Sequence, residues 1–217
     1  MAHSQHVGIA WYLHPDEGHN ADGRHISYLS SPERWRHLDP ELFDALTGIV
    51  AGKRSVAALE QCFDSSTIFA SEPITTGNLP ARDRCSARSA WFERTLNVLR
   101  ASDFVFADPD NGLVTDEEDR RKGRNFGKQL PLSEAIALSA GRTAVIYHHN
   151  SRFKGGHDAE VNHWLRLIDC PAIAVRAAAY SCRTFFIINP DKMIVERARD
   201  FCERWKHHKV RLHRSDS

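Results

Sequence analysis

Short apolar runs alternate with amphipathic segments along the whole chain. Four runs rich in Val, Ile, Phe and Tyr predict buried β-strands, at residues 7–13, 67–71, 104–107 and 143–147. Two further runs of the same kind lie at residues 172–175 and 184–188. Their lengths are typical of strands that are buried on both faces of a sheet.

Helical patterns separate these strands, and their ends carry the expected signals. They lie at residues 39–52, 87–102, 130–141, 158–168 and 190–205. Asp39 is a candidate N-cap with Pro40 in the first turn, and Gly141 is a candidate C-cap. Alternating strands and helices predict a three-layer α/β/α sandwich with a central, mostly parallel sheet of four to six strands. We expect a single catalytic domain over residues 1–217.

The composition indicates an ordinary globular protein, and the net charge does not identify a binding partner. The chain has 217 residues, of which 41% are hydrophobic and 26% charged, and a net charge of +1. No apolar run approaches the roughly 18 residues of a membrane span, and the first residues lack the apolar core of a signal peptide. We therefore expect a cytoplasmic monomer that avoids membranes. The five cysteines include no close pair and predict free thiols.

The loops that follow the first four strands carry the candidate chemistry. In a parallel sheet these loops meet at the carboxyl ends of the strands, where α/β proteins bind their ligands. Residues 14–25, "HPDEGHNADGRH", hold three histidines and three carboxylates. The later loops are "EPITTGN", "DPDNGL" and "HHNSRFKGGH". Four such loops at one end of a sheet predict a functional site.

Each loop also has a purely structural interpretation. Asp-Pro and Asn-Gly are strong turn formers, so residues 108–113 are compatible with a simple turn. Against that, Asp108 directly follows a buried strand, where a carboxylate is costly unless it has partners or a task. His148 and His149 are adjacent and point to opposite sides of a strand, so one of the two is expected to face the site.

A metal site is a weaker interpretation of the same residues. His19, Asp22 and His25 are suitable ligand types, and His149 or Asp108 can join them from other loops. No metal-specific spacing and no cofactor motif is present, so we expect neither a metal nor a cofactor.

Two basic segments flank the predicted site. Residues 120–124, "RRKGR", follow an acidic run, and residues 151–157, "SRFKGGH", follow the fourth strand. Charge runs are usually solvated surface, but cations interleaved with Phe126 or Phe153 also suit phosphate contacts and base stacking. We expect DNA as the partner.

The order of elements resembles the uracil-DNA glycosylase superfamily over roughly residues 7–168. "VGIAWYLHPDEGHNADGRHISYL" is similar to that family's first strand and water-positioning loop, and "YHHNSRFKGGHDAEVNHWL" stands where its minor-groove loop and following helix lie. The resemblance implies excision of a base from DNA after base flipping, without a cofactor. The excised base would be a modified or damaged one.

That resemblance implies roles for individual residues. Asp16 or Glu17 would orient the attacking water, and His148 or His149 would stabilise the departing base. The base-reading candidates are Asp108, which is also a candidate catalytic acid, and Asp110, Asn111, His19, Asn20 and Asn150, with Tyr28 as a stacking platform. The DNA-binding candidates are Arg152, Phe153, Lys154, Arg121 and Arg124.

A second family shares part of this layout. "FVFADPDNG", "GRTAVIY" and "TFFIINP" resemble the catalytic and last strands of rRNA adenine-N6 methyltransferases. Asp110 and Asn111 stand where that family has a proline and an aromatic residue, and no Gly-rich loop follows the first strand. An S-adenosylmethionine-dependent nucleic-acid methyltransferase, a metal-dependent nuclease and a non-enzymatic nucleic-acid-binding module therefore stay as alternatives.

Overall fold

The structure is a computed structural model that describes residues 6–15, 25–52, 54–179 and 181–214. The chain forms two compact units. The first comprises Met1–Pro15 and Ile68–Ser217, and the second comprises Asp16–Thr67. The predicted loop residues Asp16, Glu17, His19 and Asn20 lie outside the described residues.

The first unit contains all the strands of the described residues. Seven of the strands form the main sheet and the other two form a small parallel ribbon. The strands are β1 (Val7–Trp11), β2 (Ile68–Ala70), β3 (Phe104–Asp108), β4 (Gly112–Val114), β5 (Gln129–Pro131), β6 (Thr143–His149), β7 (Ala172–Ala177), β8 (Arg183–Ile188) and β9 (Val210–Leu212).

The main sheet is mostly parallel, as the sequence predicts. Its order is β2-β1-β3-β6-β8-β7-β9, with β4 and β5 forming the ribbon. The first four strands in this order pair in parallel. β8 is antiparallel to both of its neighbours, and β9 is antiparallel to β7. Five strands therefore run in one direction and two in the other. All six predicted strands are present, and the short β9 is a seventh.

Helices fill the segments between the strands. They are α1 (Pro32–Trp35), α2 (Pro40–Ala51), α3 (Val56–Glu60), α4 (Ala81–Val98), α5 (Glu118–Arg121), α6 (Leu132–Leu138), α7 (Gly156–Ile168) and α8 (Lys192–Trp205). Asp39 caps α2 by accepting a hydrogen bond from the backbone N–H of Leu42 at 3.1 Å. The helix α4 begins six residues before the predicted start, at Ala81. None of the described helices is long and apolar enough to cross a membrane.

Two apolar cores, one on each face of the sheet, create the three layers. The larger core joins side chains of α4, α6 and α7 to one face. The smaller core joins α8 to the other face through Ile194, Ala198 and Cys202. All five cysteines are free thiols, as predicted, and Cys202 is the one that is fully buried.

The second unit carries the three short helical segments α1, α2 and α3. Its buried apolar residues are Trp35, Leu38 and Phe43. Tyr28 lies in this unit, where its ring packs edge-on against Trp35 at a centroid distance of 6.4 Å.

A buried ion pair links α4 to α6 in the first unit. The Arg88 guanidinium donates to both carboxylate oxygens of Glu134, at 2.9 and 2.8 Å, and the two side chains are 4% and 9% exposed. The Tyr12 hydroxyl donates to the same carboxylate at 3.1 Å. Arg88 also lies over the rings of Tyr12, Trp91 and Phe126. Removal of either charge would leave the other buried without its partner, which is far more costly than loss of a surface pair.

Replacement of Arg88 by methionine is expected to lower the free energy of unfolding by about 3–5 kcal/mol, because it leaves the Glu134 charge unpaired in the core. Arg94→Met is the matched control, since Arg94 lies on the same helix and forms a two-bond pair with the exposed Glu72. That change should cost less than about 1 kcal/mol. Urea unfolding of both variants measures the difference, and equal losses would contradict the assigned role of the buried pair.

Candidate functional site

The carboxyl ends of β1, β2, β3 and β6 lie at the same end of the sheet, because these strands are parallel. We call this end the carboxyl end. The strands β8 and β9 run the opposite way and begin there. The loop after β2 contributes Glu72, but its side chain is exposed and paired with Arg94 on α4. Among the residues that the structure describes, the chemistry concentrates after β3 and β6 and at the start of β8.

Asp108 is the last residue of β3 and lies at the centre of this region. Its side chain is partly buried. Burial raises the pKa of Asp108 to about 6, the nearby negative charge of Asp110 adds to the rise, and Arg183 opposes it. A carboxyl group with a pKa close to neutral can accept or release a proton at physiological pH. Such a shift at the end of a parallel sheet is typical of a functional acid or base.

The loop after β3 holds Asp110 beside Lys128. The Lys128 ammonium lies 3.2 Å from the Asp110 carboxylate, and the lysine side chain is 12% exposed. The backbone N–H of Asn111 donates to the carbonyl of Lys128 at 2.8 Å. These contacts fix the loop against the segment before β5, with Asp110 and Asn111 exposed at its surface.

Tyr147, His149 and Arg183 complete the group. In the register of β6 and β8, His149 lies opposite Arg183 and Tyr147 opposite Phe185. The Tyr147 hydroxyl lies 3.4 Å from Nδ1 of His149. Burial raises the pKa of Tyr147, whereas a hydrogen bond with Arg183 lowers it. We call the six residues Asp108, Asp110, Lys128, Tyr147, His149 and Arg183 the Asp108 cluster.

The neighbour of Asp108 on β1 is Trp11, directly beside it in the strand register. Trp11 is 5% exposed, and its indole N–H has no hydrogen-bond partner among the described residues. A buried donor without a partner costs free energy. Trp11 therefore leaves an unsatisfied donor buried in the strand beside Asp108.

His148 lies on the opposite side of β6 from His149, in a buried network. It is 3% exposed and packs edge-on against Trp164 and Phe186. The backbone N–H of Leu113 donates to Nδ1 at 3.0 Å, so the ring proton resides on Nε2. Nε2 lies 3.3 Å from the Glu160 carboxylate and donates to it. Both ring nitrogens are occupied, and His149 is the histidine that belongs to the Asp108 cluster.

Glu160, on α7, is the acceptor that holds this network together. It is 2% exposed and accepts hydrogen bonds from His148, the Asn150 amide, and both the backbone N–H and the hydroxyl of Ser151. Burial alone would raise the pKa of Glu160, but these hydrogen bonds outweigh it and bring the pKa to about 2. The carboxylate is therefore charged at neutral pH.

Asn150, predicted to contact substrate, is also part of this network. Its NH₂ group donates to Glu160 at 3.0 Å, and its carbonyl oxygen accepts from the Thr184 hydroxyl at 2.7 Å. The amide thereby ties the loop after β6 to α7 and β8. The polar groups of Asn150 stabilise the loop through these hydrogen bonds, and they do not face the Asp108 cluster.

Gly112 lets the loop after β3 pass closely over β6. Its φ is +90°, and a Cβ at this position would lie 2.5 Å from Nδ1 and 2.6 Å from Cα of His148. Only glycine combines the left-handed backbone with this close approach. Residues 110–111 form a bend between β3 and β4, and this bend leaves Asp110 exposed.

The basic candidates lie on two segments, one around α5 and the other in the loop after β6. Arg152 and Lys154 are exposed in the loop after β6, whereas the Phe153 ring packs against His163 on α7 at 5.1 Å. Arg121 forms an ion pair with Asp116, next to Ser133. Arg124 is exposed at the start of the turn that leads to Lys128.

Glu160, Lys128 and Arg183 were not among the residues that the sequence suggested. Arg183 precedes the run 184–188, and it reaches the site because β8 is antiparallel and begins at the carboxyl end. A basic residue before a strand signals a site only once the direction of that strand is known. Glu160 resembled an ordinary surface position of an amphipathic helix.

Among the described residues, no group of three or more His, Cys, Asp or Glu side chains is arranged to hold a metal ion. Of the proposed ligands, Asp22 and His19 lie outside the described residues. Comparisons with known proteins give no match, whether to a protein-family model, a curated protein or a solved structure. The chemistry of the site is therefore inferred from its own residues.

Gly112→Ala is expected to lower the free energy of unfolding by about 2–4 kcal/mol, because it combines positive-φ strain with a contact to the His148 backbone. Gly141→Ala is the control, since Gly141 has φ of +72° and open space around its Cβ position. It should cost only about 1 kcal/mol of backbone strain. Thermal and urea unfolding of the two variants separate the effects, and a neutral Gly112→Ala variant would refute the close approach.

The Glu160 network predicts a loss of stability in acid. Because the folded-state pKa lies below the usual value of 4.5, the carboxylate stabilises the fold above pH 4.5, and this contribution is lost as the pH falls towards 2. Glu160→Gln should be less stable at pH 7, and its difference from the wild type should shrink between about pH 4.5 and 2. Urea midpoints across that pH range measure this, and a constant difference would argue against it.

Proposed function

We propose that the protein hydrolyses the N-glycosidic bond of a modified or damaged base in DNA, with Asp108 as the general base. The observation that carries the proposal is the partly buried Asp108 carboxyl, with a pKa of about 6, at the carboxyl end of a parallel sheet. Hydrolysis of this bond needs one group that accepts a proton from water and one that stabilises the departing base. The Asp108 cluster supplies both types of group without a cofactor.

In the proposed reaction, the base is first flipped out of the DNA stack. The bond between C1′ of the sugar and the base nitrogen breaks, and its electron pair leaves with the base. The water oxygen bonds to C1′ while Asp108 accepts the water proton. His149 or Arg183 donates a hydrogen bond to the negative charge that develops on the base. The products are the free base and an abasic sugar.

The residues around the cluster fit this assignment. Trp11, adjacent to Asp108 in the strand register, has a buried indole N–H without a partner among the described residues, which suits an enclosed water molecule. Arg152 and Lys154, exposed in the loop after β6, are suited to the phosphates on either side of the flipped nucleotide. Asp110 and Asn111 are exposed on the loop that follows Asp108 and offer acceptor and amide groups to a base edge.

A methyltransferase is the second candidate, and one observation favours it. The three segments on which that resemblance depends lie side by side as β3, β6 and β8, with the Asp-Pro-Asp-Asn loop at the carboxyl end. In that case Asp108 would accept a hydrogen bond from a base amino group. Calorimetry with S-adenosylmethionine distinguishes the two proposals, because a glycosidic hydrolase has no need of that ligand.

The first test of the proposed function uses duplex and single-stranded DNAs that each carry one modified base. After incubation with the protein, alkali cleaves the DNA at any abasic site. We expect strand breaks with at least one modified base, and none with Asp108→Asn, which should bind the same DNA nearly as well because a general base acts in the transition state. If wild-type protein releases no base from any of these DNAs, the hydrolase proposal is wrong.

The pH dependence of base release gives a sharper prediction. A general base must be ionised, so the rate should rise with pH through an apparent pKa of about 6 and then level off. Asp110→Asn removes a charge that raises the pKa of Asp108 and should move the midpoint to lower pH. Arg183→Gln removes a charge that lowers it and should move the midpoint to higher pH. Single-turnover rates between about pH 4.5 and 8 measure both shifts, and midpoints that move together would exclude Asp108 as the titrating group.

A further inference from the structure

Residues 204–214 form a strongly basic segment that is part of neither the Asp108 cluster nor the Glu160 network. Residues 204–214 contain five Arg or Lys and three His, and no acidic residue. This segment covers the end of α8, a short turn and β9. A cluster of one sign in a chain of net charge +1 marks a local electrostatic surface.

Four of these basic residues, Lys206, Arg211, His213 and Arg214, line a groove between α8 and β9. Its cationic walls are formed by Arg199, Lys206, Arg211 and Arg214, all exposed, and one acid, Glu203, lies among the lining residues. Its floor includes the apolar side chains of Cys202, Val210 and Leu212. A trough with cationic walls and an apolar floor is complementary to a phosphate backbone and its sugars.

Half of these cations are not neutralised by neighbouring carboxylates. Lys206 pairs with Glu203, and Arg211 pairs with Asp158 on α7. Arg199 and Arg214 form no ion pair in the part of the chain that the structure describes. These two arginines are therefore available to an external anion.

One end of the groove, at Lys206 and Val210, lies at the same end of the sheet as the Asp108 cluster, and the groove runs from there towards Arg214, which follows β9. β9 begins at the carboxyl end, where the carbonyl of Lys209 accepts a hydrogen bond from the backbone N–H of Ala178, just after β7. Four strand spacings separate β3 from β9 in the sheet order. At about 4.8 Å each they span roughly 19 Å, which a strand rising about 3.4 Å per nucleotide covers in five to six nucleotides.

We infer that the groove between α8 and β9 binds the phosphate backbone of the nucleic-acid strand that flanks the target nucleotide. This inference rests on the proposed function for the identity of the strand. The strand leaves the Asp108 cluster and passes Arg183 at the start of β8 and Lys209 before β9. It then enters the groove at Lys206 and runs along it to Arg199 and Arg214. The groove adds affinity and sets the length of nucleic acid that the protein covers. An anionic membrane surface is the competing partner, but a concave trough with cationic walls suits a strand better than a flat surface.

The test measures binding of fluorescein-labelled single-stranded DNA of about 16 nucleotides at several KCl concentrations. Wild type is compared with the double variant Arg199→Gln and Arg214→Gln. The slope of log K against log salt should fall in magnitude by about 1.4, since each single-strand phosphate contact contributes about 0.7. The matched control is Arg197→Gln with Arg204→Gln, which removes two exposed cations of the same helix that do not line the groove. Its slope should equal that of the wild type.

The outcomes separate this inference from the proposed function. If the wild type binds the oligonucleotide with the expected slopes but releases no base from any DNA, the groove is supported and the hydrolase proposal fails. If the groove variant and the control variant have the same slope, the groove assignment is wrong. It is also wrong if the wild type binds phosphatidylserine vesicles through these arginines and does not bind the oligonucleotide.

Discussion

The buried carboxylate of Glu160 is the constraint on which the carboxyl end of the sheet depends. Through four donor groups it fixes His148, Asn150 and Ser151, and through His148 it reaches the backbone of Leu113. One charged group thus positions the loops after β3 and β6 relative to each other. Because a buried charge tolerates little rearrangement without loss of its donors, these loops hold a defined geometry at neutral pH.

The pKa values of two carboxyl groups near the same strands are shifted in opposite directions, and the environments of the two groups explain the difference. Glu160 is surrounded by hydrogen-bond donors, which bring its pKa to about 2. Asp108 is also partly buried, but Asp110 adds a negative charge and Arg183 only partly compensates, so its pKa rises to about 6. The first group serves the structure as a permanent anion. The second has a pKa close to neutral, which is the property that the proposed role of Asp108 as a general base requires.

The sequence predicted much of the fold and only part of the site. Apolar runs located six strands of the main sheet, because strands buried on both faces leave a strong local signal, and missed the three-residue strands β4, β5 and β9. The apolar runs do not show the direction of β8. Arg183 reaches the site because β8 is antiparallel to β6 and begins at the carboxyl end. The adjacent histidines were correctly expected to face opposite sides, yet only the contacts of Leu113 and Glu160 identify His148 as the buried one. The same holds for Asn150. The sequence does not show whether the side chain of a polar loop residue stabilises the loop or binds a ligand.

The most direct test of this account is the carboxyl pKa of Asp108 in the folded protein. Carbon-13 NMR titration of aspartate-labelled protein, with Asp108→Asn used to assign the signal, measures it without any substrate. We expect a midpoint near 6, set mainly by burial and by the charge of Asp110. A midpoint at or below about 4, the usual value for an exposed aspartate, would show that the carboxyl is not poised for proton transfer, and the proposed chemistry would lose its basis.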